Sequence, residues 1–152
     1  YFDTTSLSKG ENKDFPSMIV PLICYEGIFP HFVGSNRKTG ARLLVNITND
    51  SWFGKNAGPK QHFTHVRYRA IEEGLPLVRS SNMGFSGLIS PLGKVLSQVA
   101  KESNSYVDVK IPNGVETIYS KYRFKIVSFL MVLLLIIGYF TEMSFYKKAR
   151  LL

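Results

Sequence analysis

The chain has 152 residues, enough for one domain with a hydrophobic core, and its apolar (45%) and charged (20%) fractions are near globular averages. This composition excludes disordered and collagen-like chains. A net charge of +8 would suit a nucleic-acid-binding protein if the basic residues formed a stripe. Instead, residues 118–152 alone carry a net +5, from six basic residues and one acidic residue around an apolar run. This placement favours contact with anionic lipid, and we expect no nucleic-acid partner.

The first half of the chain predicts alternating strands and helices. The first fifteen residues are rich in Ser, Lys, Gly and Asp, which indicates a loop or a sheet edge. The short apolar run at 17–23 predicts a buried strand that ends just before Cys24. A helix is expected after that strand, to about residue 37, and a second buried strand is expected at 42–47.

A polar loop at 48–54 follows, and then a helix at 59–73 that Gly74 should end. Short apolar or alternating runs predict four further strands, at 75–80, 84–90, 95–99 and 106–111. The turn at 91–94 predicts that the second and third of these form a hairpin. Strands that alternate with helices indicate an α/β domain, which we assign to residues 1–117.

Residues 118–152 predict a juxtamembrane segment and one transmembrane helix at about 124–146. No residue from Ile126 to Thr141 is charged, and aromatic side chains suitable for a membrane interface lie near both ends. The alternative is a buried core helix, but a core helix of an α/β domain rarely lacks a polar face over four turns. Basic residues are equally frequent on both sides, so charge does not predict the orientation.

Cys24 is the principal candidate for chemistry. It is the only cysteine, so no internal disulfide can form. A thiol between a buried strand and a helix start lies where backbone amides can stabilise a thiolate and an oxyanion. The alternative is a buried thiol that packs as a small hydrophobic side chain.

Other candidate residues give weaker signals. His62 and His65 could form a Cys–His pair with Cys24, although packing on a helix face explains them as well. No cluster of Cys or acidic residues accompanies these histidines, so we expect neither a metal nor a cofactor. The segment around Ser86 departs from the G-x-S-x-G motif, which favours an ordinary strand serine.

A resemblance emerges from several segments in a fixed order and spacing. These are Ile23-Cys24-Tyr25-Glu26, NDSWFG at 49–54, GPKQHF at 58–63, the helix with Arg67, Arg69 and Glu72, and RSSNMG at 79–84. Together they closely resemble the C-terminal part of apolipoprotein N-acyltransferases, membrane members of the nitrilase superfamily. Soluble nitrilases share the Cys-Tyr-Glu segment but lack a terminal membrane helix, so the tail decides between the two.

This resemblance implies the C-terminal half of a nitrilase-like α-β-β-α sandwich followed by one transmembrane helix. It also implies a bacterial inner membrane location with the catalytic domain facing the periplasm. The family uses a Glu-Lys-Cys triad, and only Cys24 carries over, as the nucleophile. The Glu and Lys belong to a segment upstream of residue 1, so we expect this chain to be inactive alone, and an upstream half of the same enzyme is a further candidate partner.

The implied reaction transfers an acyl chain from a phospholipid, through a Cys24 thioester, to the N-terminal amine of a diacylglyceryl-cysteine apolipoprotein. The resemblance makes Glu26 a supporting carboxylate, although an acid favoured by the helix dipole explains it equally well. The backbone amide of Tyr25 would contribute to the oxyanion site. Trp52 and Phe53 would contact the acyl chain or lipid, or else anchor their loop in the core.

Two other functions remain open. One is a nitrilase-type C–N hydrolase or amidase, with water as the acceptor in place of an amine. The other is a non-catalytic remnant of the acyltransferase, which only binds a partner. Asn49, Arg79 and Asn82 are expected to hold loops and strand ends around the site rather than to act in catalysis.

Overall fold

The computed structural model describes residues 2–3, 18–37, 40–99 and 106–149, which form two compact units, Tyr1–Ser120 and Lys121–Leu152. The strands are β1 (Phe2–Asp3), β2 (Met18–Ile23), β3 (Leu43–Thr48), β4 (Leu77–Ser81), β5 (Gly87–Ile89) and β6 (Val95–Gln98). The α-helices are α1 (Pro30–Arg37), α2 (Ala57–Glu73), α3 (Ile118–Tyr122) and α4 (Lys125–Ala149). Two short 3-10 helices, Cys24–Ile28 and Asp50–Phe53, follow β2 and β3. The predicted domain boundary after residue 117 stays a prediction.

The six strands form one mixed sheet in the order β1-β2-β3-β4-β5-β6. Strands β2, β3 and β4 are parallel, because a helix returns the chain to the same edge between each pair. The edge strands β1, β5 and β6 pair antiparallel, and β5 with β6 forms the predicted hairpin. The mixed sheet with helices confirms the predicted α/β fold.

One face of the central strands changes from apolar to polar toward its carboxyl end. Val20, Leu44 and Leu77 are in register across β2, β3 and β4, and all three are fully buried. Two residues further along, Asn46 pairs with Arg79, and both remain buried. The sheet therefore carries hydrophobic packing at one end of this face and polar chemistry at the other.

Helices α1 and α2 cover this face. Val33 of α1 and Val66 and Ala70 of α2 are fully buried and belong to the same core cluster as Leu44. Gly27 lets the first 3-10 helix approach α2, since a Cβ at this position would lie 2.7 Å from a methyl carbon of Val66. Helix α2 ends at Gly74 in a left-handed conformation (φ 63°), as the sequence predicts.

The strand predicted at 106–111 is wrong. Residues 106–117 have no helix or strand, and Tyr106 is 88% exposed. Alternating apolar and polar side chains stabilise a strand only when a neighbouring strand pairs with its backbone. Residues 106–111 are not paired with any strand in the described part of the chain, so the alternation was not sufficient.

The second unit contains the predicted apolar helix. Residues Lys125–Met143 of α4 form a candidate membrane span that is long and apolar enough to cross a bilayer, and none of this segment is buried. A core helix would be mostly buried, whereas no part of this segment is, and the membrane assignment stays a prediction. Length and composition are the evidence for this assignment.

Candidate functional site

Cys24 lies at the turn between β2 and the first 3-10 helix. Its backbone is in the left-handed region (φ 50°), which is uncommon for a residue other than glycine and costs about 1 to 2 kcal/mol. Two contacts hold this turn: Glu26 Oε2 accepts a hydrogen bond from the Ile23 amide at 2.7 Å, and Asn46 Nδ2 donates to the Cys24 carbonyl at 3.3 Å. Asn46 Nδ2 also donates to the Leu22 carbonyl at 2.8 Å. The half-buried thiol is therefore presented by a turn fixed from two sides.

The thiol contacts a hydroxyl group from the neighbouring strand. Thr48, at the end of β3, places Oγ1 at 3.6 Å from Cys24 Sγ, within hydrogen-bond range for sulfur. The same Oγ1 lies 3.3 Å from Asp50 Oδ1. Thr48 thus connects the candidate nucleophile to a buried carboxylate.

Asp50 is the centre of this polar cluster. Its Oδ2 accepts hydrogen bonds from Arg79 Nη2 at 2.7 Å and from Ser81 Oγ at 2.7 Å. Its Oδ1 accepts from His62 Nδ1 at 2.8 Å and faces Thr48. Burial alone would raise the pKa of Asp50, but the bonds from Ser81 and His62 and the charge of Arg79 lower it overall. Asp50 is consequently an ionised, fully buried carboxylate with four hydrogen-bond donors around it.

Arg79 supplies the positive charge of the cluster. It is 1% exposed, and besides Asp50 it donates from Nη1 to Asn46 Oδ1. Burial lowers the pKa of Arg79, whereas the negative charges of Asp50 and of a Cys24 thiolate raise it. Arg79 therefore donates to two acceptors of the cluster, the Asp50 carboxylate and the Asn46 amide oxygen.

The two candidate histidines have different environments. His62 is 3% exposed, and its ring packs against Phe53 at 4.9 Å and Tyr25 at 5.8 Å between ring centroids. His65 is exposed on the outer side of α2. His62 Nδ1 bonds to Asp50, and its buried Nε2 has no hydrogen-bond partner in the ranges that the structure describes, so His62 supports the cluster and is not hydrogen-bonded to Cys24. Among the described residues, no three Cys, His, Asp or Glu side chains form a group that could hold a metal.

The other predicted site residues lie around Cys24 in distinct roles. The Tyr25 side chain is 50% exposed and stacks on Phe53, while Glu26 holds the turn through the Ile23 amide. Trp52 is 81% exposed, whereas the Phe53 ring packs against Tyr25 and His62. The packing of Phe53 fits the core-anchor alternative, and a contact of Trp52 or Phe53 with lipid or the acyl chain stays a prediction.

The loops around the site are held as the sequence predicted. Asn82 Oδ1 accepts from the Asp50 amide at 3.0 Å, and Asn82 Nδ2 donates to Asn49 Oδ1 at 2.6 Å. Ser86 Oγ donates to the Ser81 carbonyl at 2.9 Å, which is an ordinary structural contact. Gly84 is required beside the cluster, since a Cβ there would lie 1.8 Å from Asp50 Oδ2.

Sequence reasoning missed Asn46, Thr48, Asp50 and Ser81. A signal was present, because Leu44, Asn46 and Thr48 occupy alternate positions of one strand and so share a face. Leu77, Arg79 and Ser81 do the same in β4. Polar residues in phase with the buried leucines indicate an interior polar cluster rather than a solvated face.

The fold and the site together define an α/β domain with one cysteine at a fixed strand-to-helix turn above a buried polar cluster. The sequence model of the carbon–nitrogen hydrolase family matches residues 2–119. The chain belongs to this family.

The curated relatives confirm the predicted resemblance. The apolipoprotein N-acyltransferase of Rickettsia bellii is 49% identical over 106 residues, covering 68% of this chain and 21% of the relative. The protein of the same name from Rickettsia typhi is 39% identical over 135 residues, covering 88% and 27%. The chain therefore spans only about a fifth to a quarter of these relatives. A solved carbon–nitrogen hydrolase from Helicobacter pylori is 19% identical, with a TM-score of 0.49 over 57% of this chain and 37% of that one.

Proposed function

We propose that this chain carries the nucleophilic cysteine of lipoprotein N-acylation, as one part of a longer membrane enzyme. The observation that carries the proposal is the position of Cys24, which is half-buried on a fixed turn with a left-handed backbone. The chain is also 49% identical, over 106 residues, to a relative named apolipoprotein N-acyltransferase. The proposed acyl donor is a phospholipid. The proposed acceptor is an apolipoprotein with a free N-terminal amine.

The proposed reaction has two steps at Cys24. The thiolate attacks the carbonyl carbon of a phospholipid ester, the C–O bond breaks, and the lysophospholipid leaves with a proton from the catalytic base. The acceptor amine then attacks the thioester carbonyl, loses a proton to the base, and the C–S bond breaks to restore the thiolate. The base and a lysine would come from a segment outside this chain, as the family resemblance implies.

Four predicted site residues would assist these steps. The backbone amide of Tyr25 would donate to the developing oxyanion. Glu26 would act as a supporting carboxylate, and its bond to the Ile23 amide suits a role in holding the turn. Trp52 would contact lipid or the acyl chain from its exposed position, while Phe53 would hold the loop against His62.

The C-terminal helix would keep the domain at the membrane that contains both substrates. We place α4 in the bacterial inner membrane, with the domain on the periplasmic side. A membrane-impermeant maleimide tests the side directly, since Cys24 is the only cysteine. Labelling of Cys24 in intact spheroplasts is expected, and labelling only after lysis would contradict the proposed orientation.

Acyl labelling tests the proposed reaction. Membranes that contain this chain together with the upstream segment of the enzyme receive a phospholipid with a tagged fatty acid. Hydroxylamine-sensitive label on the wild-type chain, absent from Cys24→Ala, is the expected result. Label that persists in Cys24→Ala would exclude Cys24 as the nucleophile.

The same membranes separate the two remaining alternatives. An amidase, which the description of the matching family favours, would release ammonia from a simple amide and would transfer no acyl chain to an apolipoprotein. A non-catalytic remnant would take no label even when the upstream segment is present and an intact relative labels normally.

A further inference from the structure

The Thr48 hydroxyl has two acceptors and only one proton. Its Oγ1 lies 3.6 Å from Cys24 Sγ and 3.3 Å from Asp50 Oδ1. A hydroxyl group donates one hydrogen bond and accepts up to two. Thr48 is 8% exposed, so bulk water does not compete strongly for this hydroxyl.

The protonation state of Cys24 decides which acceptor the hydroxyl serves. A protonated thiol can donate to Thr48 Oγ1, which leaves the Thr48 proton to Asp50. A thiolate cannot donate, and it attracts the Thr48 proton because hydrogen bonds to charged acceptors are the stronger ones. Thr48 neither gains nor loses a proton, since the thiol proton is transferred to the catalytic base and the Thr48 hydroxyl only rotates.

Asp50 can release this hydroxyl at small cost. Three donors remain on the carboxylate when Thr48 turns away, namely His62, Arg79 and Ser81, at 2.7 to 2.8 Å. The Thr48 contact is the longest of the four, at 3.3 Å. A weak donor is therefore removed from a carboxylate that stays fully satisfied.

The charged and titratable groups around Cys24 have hydrogen-bond partners of their own. The negative charge of Asp50 pairs with the positive charge of Arg79, and Glu26 directs a carboxylate oxygen to the Ile23 amide. His62, from α2, bonds to Asp50. Thr48 places a hydroxyl within hydrogen-bond distance of Sγ, so the hydrogen bond that it donates can stabilise a thiolate directly.

We propose that Thr48 is a positioning residue that turns its hydroxyl from Asp50 to Cys24 and so stabilises the nucleophilic thiolate. This role extends the proposed function, because it concerns the same cysteine. In this role, Thr48 connects the polar cluster around Asp50 to the nucleophile, so the cluster supports Cys24 as well as the fold.

Alkylation of the single cysteine tests this proposal without the acyl-transfer reaction. Membranes with the full chain are treated with iodoacetamide from about pH 6 to about pH 9.5, and the mass shift of the chain gives the rate for Cys24. Thr48→Val, which keeps the shape and removes the hydroxyl, should react about tenfold more slowly at neutral pH. The ratio of the alkylation rates of the wild type and Thr48→Val should approach one toward high pH, because the thiol is ionised there in both proteins. Thr48→Ser, the matched control, should react within about twofold of the wild type.

Two results would overturn the proposal. One is an unchanged rate in Thr48→Val, and the other is a rate lowered by the same factor at every pH, as altered access would produce. If Thr48→Val does not fold, judged by protease resistance, Thr48→Ala and Thr48→Ser supply the same comparison. The acyl-labelling result is independent, so a wild type without label but with the expected alkylation profile would contradict the proposed function alone.

Discussion

The domain and the C-terminal helix distribute polar and apolar side chains in opposite ways. In the domain, Arg79 and Asp50 are among the largest fully buried side chains. In α4, leucines such as Leu134 and Leu135 are 67% and 71% exposed. In this chain, therefore, burial does not separate apolar side chains from charged ones. Buried charges require partners inside the domain, and an exposed apolar helix requires a surrounding other than water.

The largest effect is expected from breaking the buried ion pair. Arg79→Met leaves the Asp50 carboxylate without its cation, and removing one partner of a buried pair typically costs about 3 to 5 kcal/mol. The urea midpoint in detergent, followed by pulse proteolysis, measures the loss. Arg42→Met, at an exposed arginine, is the matched control and should change stability by less than about 0.5 kcal/mol. Equal midpoints for the two variants would contradict the structural role of the pair.

A charge in the apolar helix tests the other side of the comparison. Leu134→Arg places a cation near the centre of the span, which costs about 3 kcal/mol of insertion free energy. Less of the chain should remain in the membrane fraction after alkaline carbonate extraction. Leu92→Arg makes the same change at an exposed leucine of the hairpin turn and should leave the membrane fraction unchanged. Equal extraction of both variants would exclude the span as the anchor.

Acid should weaken the domain through Asp50. The pKa of Asp50 is lowered in the folded state, so its contribution to stability is present above the unfolded pKa of about 3.9 and is lost as the pH falls through the folded value. Asp50→Asn should therefore show a shallower fall of the free energy of unfolding between about pH 6 and about pH 3. Urea midpoints at each pH measure the slopes.

Glu72 is the internal control for this pH dependence. Burial raises the pKa of Glu72, so its contribution is present below the unfolded pKa and is lost as the pH rises through the folded one. Glu72→Gln removes a gain that acid would otherwise bring, and its stability should fall more steeply on acidification than that of the wild type. If the free energy of unfolding changed with pH by the same slope in Asp50→Asn and Glu72→Gln, the assignment of the acid response to Asp50 would be contradicted.

The sequence predicted the elements better than their contacts. Periodicity located β2, β3 and α2, and the uncharged run from Ile126 to Thr141 located α4, because each of these signals is local. The pair of Asp50 and Arg79 is 29 residues apart and forms only because β3 and β4 lie side by side in parallel register. The strand prediction for residues 106–111 was wrong for the same reason, since no pattern within a segment can show whether a neighbouring strand exists.

The smallest effect on stability is expected at Trp52, which joins the two sides of the comparison as an exposed apolar residue of the domain. Trp52 is 81% exposed, so Trp52→Ala should change the free energy of unfolding, measured by urea denaturation, by less than about 0.5 kcal/mol. Phe53→Ala, which removes the ring packed on His62, should cost about 1 to 3 kcal/mol. If Trp52 contacts lipid as proposed, its fluorescence should shift to the blue in vesicles and Trp52→Ala should lower acyl labelling. Unchanged labelling in Trp52→Ala would restrict the proposed lipid contact to α4, because the fold would be intact in that variant.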